Sequence, residues 1–241
     1  FEAWYEETYG EKVHVNYTTY ASNEDMYAKL KSGAVSYDVI IPSDYMVARM
    51  GEEGLLMELD YSKIPNAENI DERYLHPAYD TEQKYSLPYM WGTTGIIYNT
   101  TMVDKAPTSW MDLFTTDLKG QVLIFDNPRD CIGLALKALG YSFNTTNKDE
   151  IAEATDLLIK QKPLNRTYWQ TGDEFSKLFA GGQIDFGMMW SGQAATMKQE
   201  GEPIAFVVPE DGAIGWVDNW GIAAGSQHEE LAYAGINYMS S

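Results

Sequence analysis

The sequence predicts an α/β fold in two lobes, and three observations lead to it. Helical and strand periods alternate through the first fifty residues. A glycine-punctuated extended run over residues 86–99 then breaks that rhythm without any helical period. A second alternating series follows, with no flexible Gly/Ser linker and no repeat between the two. Extended chain crossing between lobes fits this better than a tether. The expected division is 1–98 for the first part of lobe 1, 99–217 for lobe 2, and 218–241 for a return to lobe 1.

Each element has a local cause. Phe1, Trp4 and Tyr5 share one helical face, and Gly10 is a usual helix stop. Nothing before Phe1 could cap that helix, so the chain is expected to be cropped at its start, and again at Ser241, where a helical pattern from His228 breaks off. Val13, Val15 and Tyr17 alternate as a strand. Ser22 with Asp25 resembles a capping box, opening a helix with Met26 and Leu30 that stops at Gly33. Residues 38–42 read as a compact buried strand. The loop after it, Ser43, Asp44 and Tyr45, lies where such folds bind ligands; its helix carries Val47 and Met50 and ends near Gly51.

In the second series Ser109 starts a helix with Trp110, Leu113 and Phe114, and residues 121–125 form a strand. Asn127 caps a helix that Pro128 opens at the favoured first turn and Gly140 ends. Asn147 caps a further amphipathic helix with Ile151, Leu157 and Leu158. Phe175, Leu178 and Phe179 make a short helix ending at Gly181 and Gly182. Residues 184–189 and 204–208 return as strands.

Composition excludes several functions. The chain has 241 residues, 44% hydrophobic and 13% aromatic, which suits a globular protein. Its apolar runs are too short to span a bilayer. A net charge of −19, from 36 acids and 17 bases, argues against nucleic acid, whose phosphates need Lys and Arg. Cys131 is the single cysteine, so no intrachain disulfide forms, and its apolar helical setting reads as a buried inert thiol. His14, His76 and His228 are scattered, with no metal-ligand spacing. No GxSxG, P-loop or GxGxxG is present. Neither cofactor nor metal is expected. Paired acids in an aromatic-rich chain leave a carbohydrate-active hydrolase as the runner-up chemistry.

What remains is acids and aromatics near strand ends and in loops. Trp216, Val217 and Asp218, read with Trp190 and Gln193, are the most telling. An indole face attracts an ammonium by cation–π, worth roughly 0.5–2 kcal/mol, and a carboxylate adds a charge-assisted hydrogen bond. Two indoles along alkyl carbons with an acid at the end suit a linear amine. The plainer reading is core packing for the indoles and a solvated loop for the acid. Asp130 equally fits a favourable helix N-terminal charge, Tyr45 equally fits the core, and Asn219 and Trp220 read as structural.

Several stretches carry a resemblance. They are Tyr27-Ala-Lys-Leu-Lys31, Tyr37-Asp-Val-Ile-Ile-Pro-Ser-Asp-Tyr45, Pro88-Tyr-Met-Trp-Gly-Thr-Thr-Gly95 and Lys137-Ala-Leu-Gly-Tyr141. Met189-Trp-Ser-Gly192 and Pro209-Glu-Asp-Gly-Ala-Ile-Gly-Trp-Val-Asp218 complete them. Across nearly the whole chain this resembles the periplasmic spermidine/putrescine-binding proteins of polyamine ABC transporters.

The resemblance implies a two-lobed type II periplasmic-binding fold that closes around a polyamine and delivers it to the transporter permease. The protein would be a non-enzymatic monomer, periplasmic or extracellular and membrane-anchored. Ser43 and Tyr45, with Asp44 between them, match first-lobe contacts. Trp190 and Trp216 match aromatic walls along the methylene chain, Asp218 matches the acid holding an amine, and Gln193 lies beside the Trp190 wall. Asn127 and Asp130 fall where the family reads the far end of spermidine with two acids. Having one carboxylate fewer weakens the case for a long triamine. The family's initial strand with its aromatic contact loop, and its C-terminal contacts, are not in this chain. Another small cationic solute, or a ligand-free sensor on the same fold, stays open.

Overall fold

The computed structural model describes residues 1–115, 117, 119–181 and 184–241. The chain divides into two compact units, one of 1–91 with 217–241 and one of 92–216. Chain passes from one to the other within two long strands, β2 and β7, whose ranges follow.

In the first unit α1 (Glu2–Tyr9) ends where Gly10 turns left-handed at φ 74. Its Phe1 and Trp4 rings lie 5.7 and 4.9 Å from Tyr238. Residues 11–20 form no strand, which corrects the expectation from Val13, Val15 and Tyr17. Alternation stabilises a strand only where a neighbour takes its hydrogen bonds and covers one face. Among the described residues no strand pairs with this stretch, and Tyr17 is 82% exposed.

Helix α2 (Asn23–Lys31) starts as its cap requires, with the Ser22 hydroxyl accepting the Asp25 N–H. Strand β1 (Val39–Ile40) is shorter than expected, and α3 (Asp44–Glu52) follows directly. Met26, Tyr27, Ile40, Met46, Val47 and Met50 pack between these elements. Three short 3₁₀ turns lead to β2 (Leu87–Asn99). Late in the chain β7 (Ile214–Ile222) returns and pairs antiparallel with β1, Val39 opposite Ile222.

The second unit holds α4 (Asp112–Thr115), β3 (Val122–Phe125), α5 (Pro128–Ala138), α6 (Lys148–Gln161), β4 (Asn165–Trp169), α7 (Gly172–Ala180), β5 (Phe186–Trp190), α8 (Ser191–Gln199) and β6 (Ile204–Val207). Helix α9 (Glu229–Met239) belongs to the first unit and packs Tyr233 and Ile236 against Ile222 and Trp220. Ser109 begins a turn rather than a helix: Asp112 accepts the N–H groups of Thr108 and Ser109, so α4 starts only there. The Phe175 helix reaches Ala180 with Gly181 as its cap, and Gly182 lies outside the described residues.

Strand order in this unit is β6-β2-β5-β3-β4. β2 pairs antiparallel with β5 and β6, while β3 runs parallel to β4 and β5. Parallel neighbours need a long crossover, which α5 and α6 supply between β3 and β4. The sheet is covered by Trp110, Leu134, Trp169, Phe175 and Met197, all fully buried. Thus β3, β4 and β5 end at Phe125, Trp169 and Trp190. Among the described residues no helix is long and apolar enough to cross a membrane.

Candidate functional site

In the first unit the sheet brings together residues 175 positions apart. Ser43 and Asp218 form an isolated antiparallel bridge, and the Asn219 N–H donates to the Pro42 carbonyl at 2.9 Å. The Ser43 hydroxyl donates to Asp218 Oδ1 at 2.6 Å. Burial pushes the Asp218 carboxyl above the ordinary carboxylate range; the Ser43 hydrogen bond opposes that rise and the nearby Asp44 charge adds to it. A carboxylate short of solvation, held by one hydroxyl and facing another acid, gains most from a cation.

Two residues of α2 support the loop. Asn23 donates from Nδ2 to Ser43 Oγ at 2.9 Å and accepts the Ser43 N–H at 2.9 Å. Tyr45 donates its phenol proton to Glu24 at 2.8 Å. Asp44 accepts the Tyr45 N–H at the start of α3. Asn219 is fully buried, donating to the Val217 carbonyl and accepting from Tyr79, which is the structural role its sequence implied. Trp220 is likewise core, 4.4 Å from the Tyr89 ring.

The second unit holds the other expected site residues. Trp190 closes β5 with its ring edge-on to Trp169 at 5.0 Å and to Phe125 at 5.1 Å. Those two stack on each other at 4.5 Å, so the half-buried Trp190 indole stands on a rigid aromatic base. Trp216 lies against the chain at Gly92, where an added Cβ would run into its ring. Only glycine permits that approach. Gln193 sits in the first turn of α8 and donates to Ser176 of α7 at 2.9 Å. Asn127 is 4% exposed and caps α5 through the N–H groups of Arg129 and Asp130. Asp130 occupies the first turn of that helix.

Two expectations change here. Trp216 and Asp218 are inside β7, and Trp190 with Gln193 spans a strand end and a helix start, so neither motif is a loop. Strand backbone fixes side-chain direction more firmly than a loop does. The Cys131 thiol, donating to the Phe125 carbonyl, is pushed up to about 12 by burial. It is therefore an inert thiol.

Sequence reasoning missed Asn23, Glu24 and Trp169. The first two looked like ordinary helix-start residues after Ser22. Trp169 ends a strand, Asn-Arg-Thr-Tyr-Trp, whose Thr and aromatic content between Pro163 and Gly172 was a readable signal.

A model of the bacterial extracellular solute-binding protein family matches residues 2–241. The chain belongs to that family. It is 40% identical over 231 residues to the spermidine/putrescine-binding periplasmic protein of Escherichia coli, with 94% of this chain and 65% of the relative covered. It thus spans about two thirds of the length of that relative. The putrescine/cadaverine-binding protein of Pseudomonas aeruginosa is 34% identical, over 91% of this chain and 65% of its own. Among solved structures, the spermidine/putrescine ABC transporter substrate-binding protein PotD of Streptococcus pneumoniae is 39% identical. It has a TM-score of 0.79 over 100% of this chain and 73% of its own. The PotD lipoprotein of Treponema pallidum is 34% identical with a TM-score of 0.85, over 100% and 76%. The fold is that of periplasmic solute-binding proteins.

Proposed function

We propose that this solute-binding protein captures a polyamine, putrescine or spermidine, outside the cytoplasmic membrane and delivers it to an ABC transporter permease. It acts as a binder and a monomer, without chemistry on its ligand. The supporting observation is the desolvated Asp218 carboxylate, whose one hydrogen bond among the described residues comes from Ser43. An alkylammonium supplies the missing charge and donors together.

In this reading Asp218 holds an ammonium, with Ser43, Asp44 and Tyr45 around it. Trp190 and Trp216 lie along methylene carbons. Asp130 and Asn127 read a second amine, with Gln193 beside the Trp190 wall. The ligand stabilises a closed state by the contacts it makes only there. The names of the relatives support the ligand class, and the single carboxylate at Asp130 favours the shorter diamine.

A thermal-shift panel tests this. A ligand that binds only the folded protein raises Tm by mass action, about 2.7 kcal/mol at a hundredfold excess over Kd. Putrescine, spermidine or both are expected to shift Tm, while sugars and neutral amino acids leave it unmoved. A shift with sugars alone would contradict the reading, and turnover of a glycoside would point to an enzyme instead.

A further inference from the structure

Resting on the polyamine reading above, we propose that Asn23 is a positioning residue that fixes the direction of the hydrogen-bond chain from Asn23 through Ser43 to Asp218. The anchor thereby presents acceptor oxygen to its ligand. The geometry settles each step. The Ser43 backbone N–H can only donate, so the Asn23 atom 2.9 Å from it is the amide oxygen. The amide nitrogen is then the atom facing Ser43 Oγ at 2.9 Å, and it can only donate. With its oxygen accepting from Asn23, Ser43 has one proton to place, and Asp218 Oδ1 lies 2.6 Å away to take it.

Every donor in this chain points toward the carboxylate, which favours the ionised acid. A ligand approaching Asp218 must then bring donors of its own, as an ammonium does; a carboxylate or carbonyl finds no proton there. Without Asn23 the Ser43 oxygen loses the donor that polarises its O–H toward Asp218 and the contact that holds its side chain in place, so its bond to Asp218 weakens. The groups facing Asp218 from other elements are Asp44 of α3, Tyr20 ahead of α2 and Tyr79 ahead of β2. Both phenols are pushed up to about 12 by burial and stay neutral in the acid range. Asp44 is the group among them that opposes ionisation of Asp218.

The test follows the Asp218 carboxyl by carbon-13 NMR in ligand-free protein, with putrescine Kd measured in parallel from about pH 4 to about pH 8. In Asn23→Ala the Asp218 midpoint is expected to rise by about one pH unit. Putrescine affinity should fall several-fold near the acid end and stay close to wild type at the alkaline end. Ser43→Ala removes the donor itself and is expected to raise the midpoint at least as far. Because Asn23 acts through Ser43, the double variant should shift no further than Ser43→Ala alone.

An unmoved midpoint in either single variant, or additive shifts in the double variant, overturns the proposal. Should Asn23→Ala fail to fold, Asn23→Ser, a shorter polar residue lacking the amide donor, carries the same test, and an unmoved Asp218 midpoint there overturns the proposal. Failure of wild-type protein to bind any polyamine would remove the polyamine reading, while the ligand-free midpoints would continue to report on Asn23.

Discussion

The first unit builds its candidate contacts from hydrogen bonds whose direction matters; the second builds them from ring faces whose fixed position matters. Around Asp218 each proton has an assigned acceptor: Asn23 to Ser43, Ser43 to the carboxylate, Tyr45 to Glu24. Around Trp190 there are few polar choices, and stiffness comes from Phe125 and Trp169 packed beneath it. An acid needs orientation because its partner is a single charged group. Indoles need only a flat, immobile surface, since methylene carbons offer no hydrogen bonds to align. The contrast predicts that polar substitutions in the first unit change affinity and its pH dependence, while substitutions beneath the rings act through stability.

The largest effect is expected where the aromatic base is removed. Trp169 is fully buried, so Trp169→Ala should cost about 3–5 kcal/mol of stability, read from denaturant unfolding. A cost under 1 kcal/mol would mean that Trp190 stands without that base. Trp190→Ala acts on binding instead: putrescine affinity should weaken by about 1–2 kcal/mol through lost cation–π and contact area, measured by titration calorimetry with little change in the pH profile. A changed pH profile there would blur the comparison.

Gly92→Ala sharpens it, because the added methyl displaces the Trp216 ring without deleting any group that meets a ligand. About 1–3 kcal/mol of overpacking strain is expected in stability, with weaker binding that a Trp216→Ala variant does not compound. The smallest effect concerns Asp218 in the ligand-free protein. Its raised carboxyl means that the folded state takes up a proton more readily than the unfolded chain. The associated stability is present below the ordinary Asp range and is lost as pH rises through the raised folded value. Asp218→Asn should therefore raise the ligand-free Tm near neutral pH, by about 2–4 °C for each 1 kcal/mol recovered. Unchanged or lowered Tm would show that the ionised acid is not strained by burial.

Legibility in the sequence followed the range of the cause. Gly10, Ser22, Asn127 and Asn147 are helix-end residues whose effect is local, and each ends or caps the helix expected of it. The alternating pattern at Val13, Val15 and Tyr17 misled because a strand is made by its neighbours, which no local pattern contains. Acids and indoles are rare in strands facing the core, so the pattern at Trp216 and Asp218 suggests a loop; β7 holds them half-buried rather than in the core. Asn23 was illegible because its partner lies 20 residues away and a helix-start asparagine looks the same whether it caps or supports. The strand ending at Trp169 is readable in its Thr and aromatic content, but the packing of that ring against Phe125 and Trp190 joins residues distant in the chain.

Asp218 is the anchor on which ligand capture turns. Titration calorimetry of putrescine against wild-type protein and Asp218→Ala near neutral pH is the decisive measurement. Loss of the carboxylate leaves an ammonium without its counter-charge in a desolvated place, so a loss of roughly 2–5 kcal/mol is expected, with the variant still folded. Equal affinity in the two proteins would contradict the account.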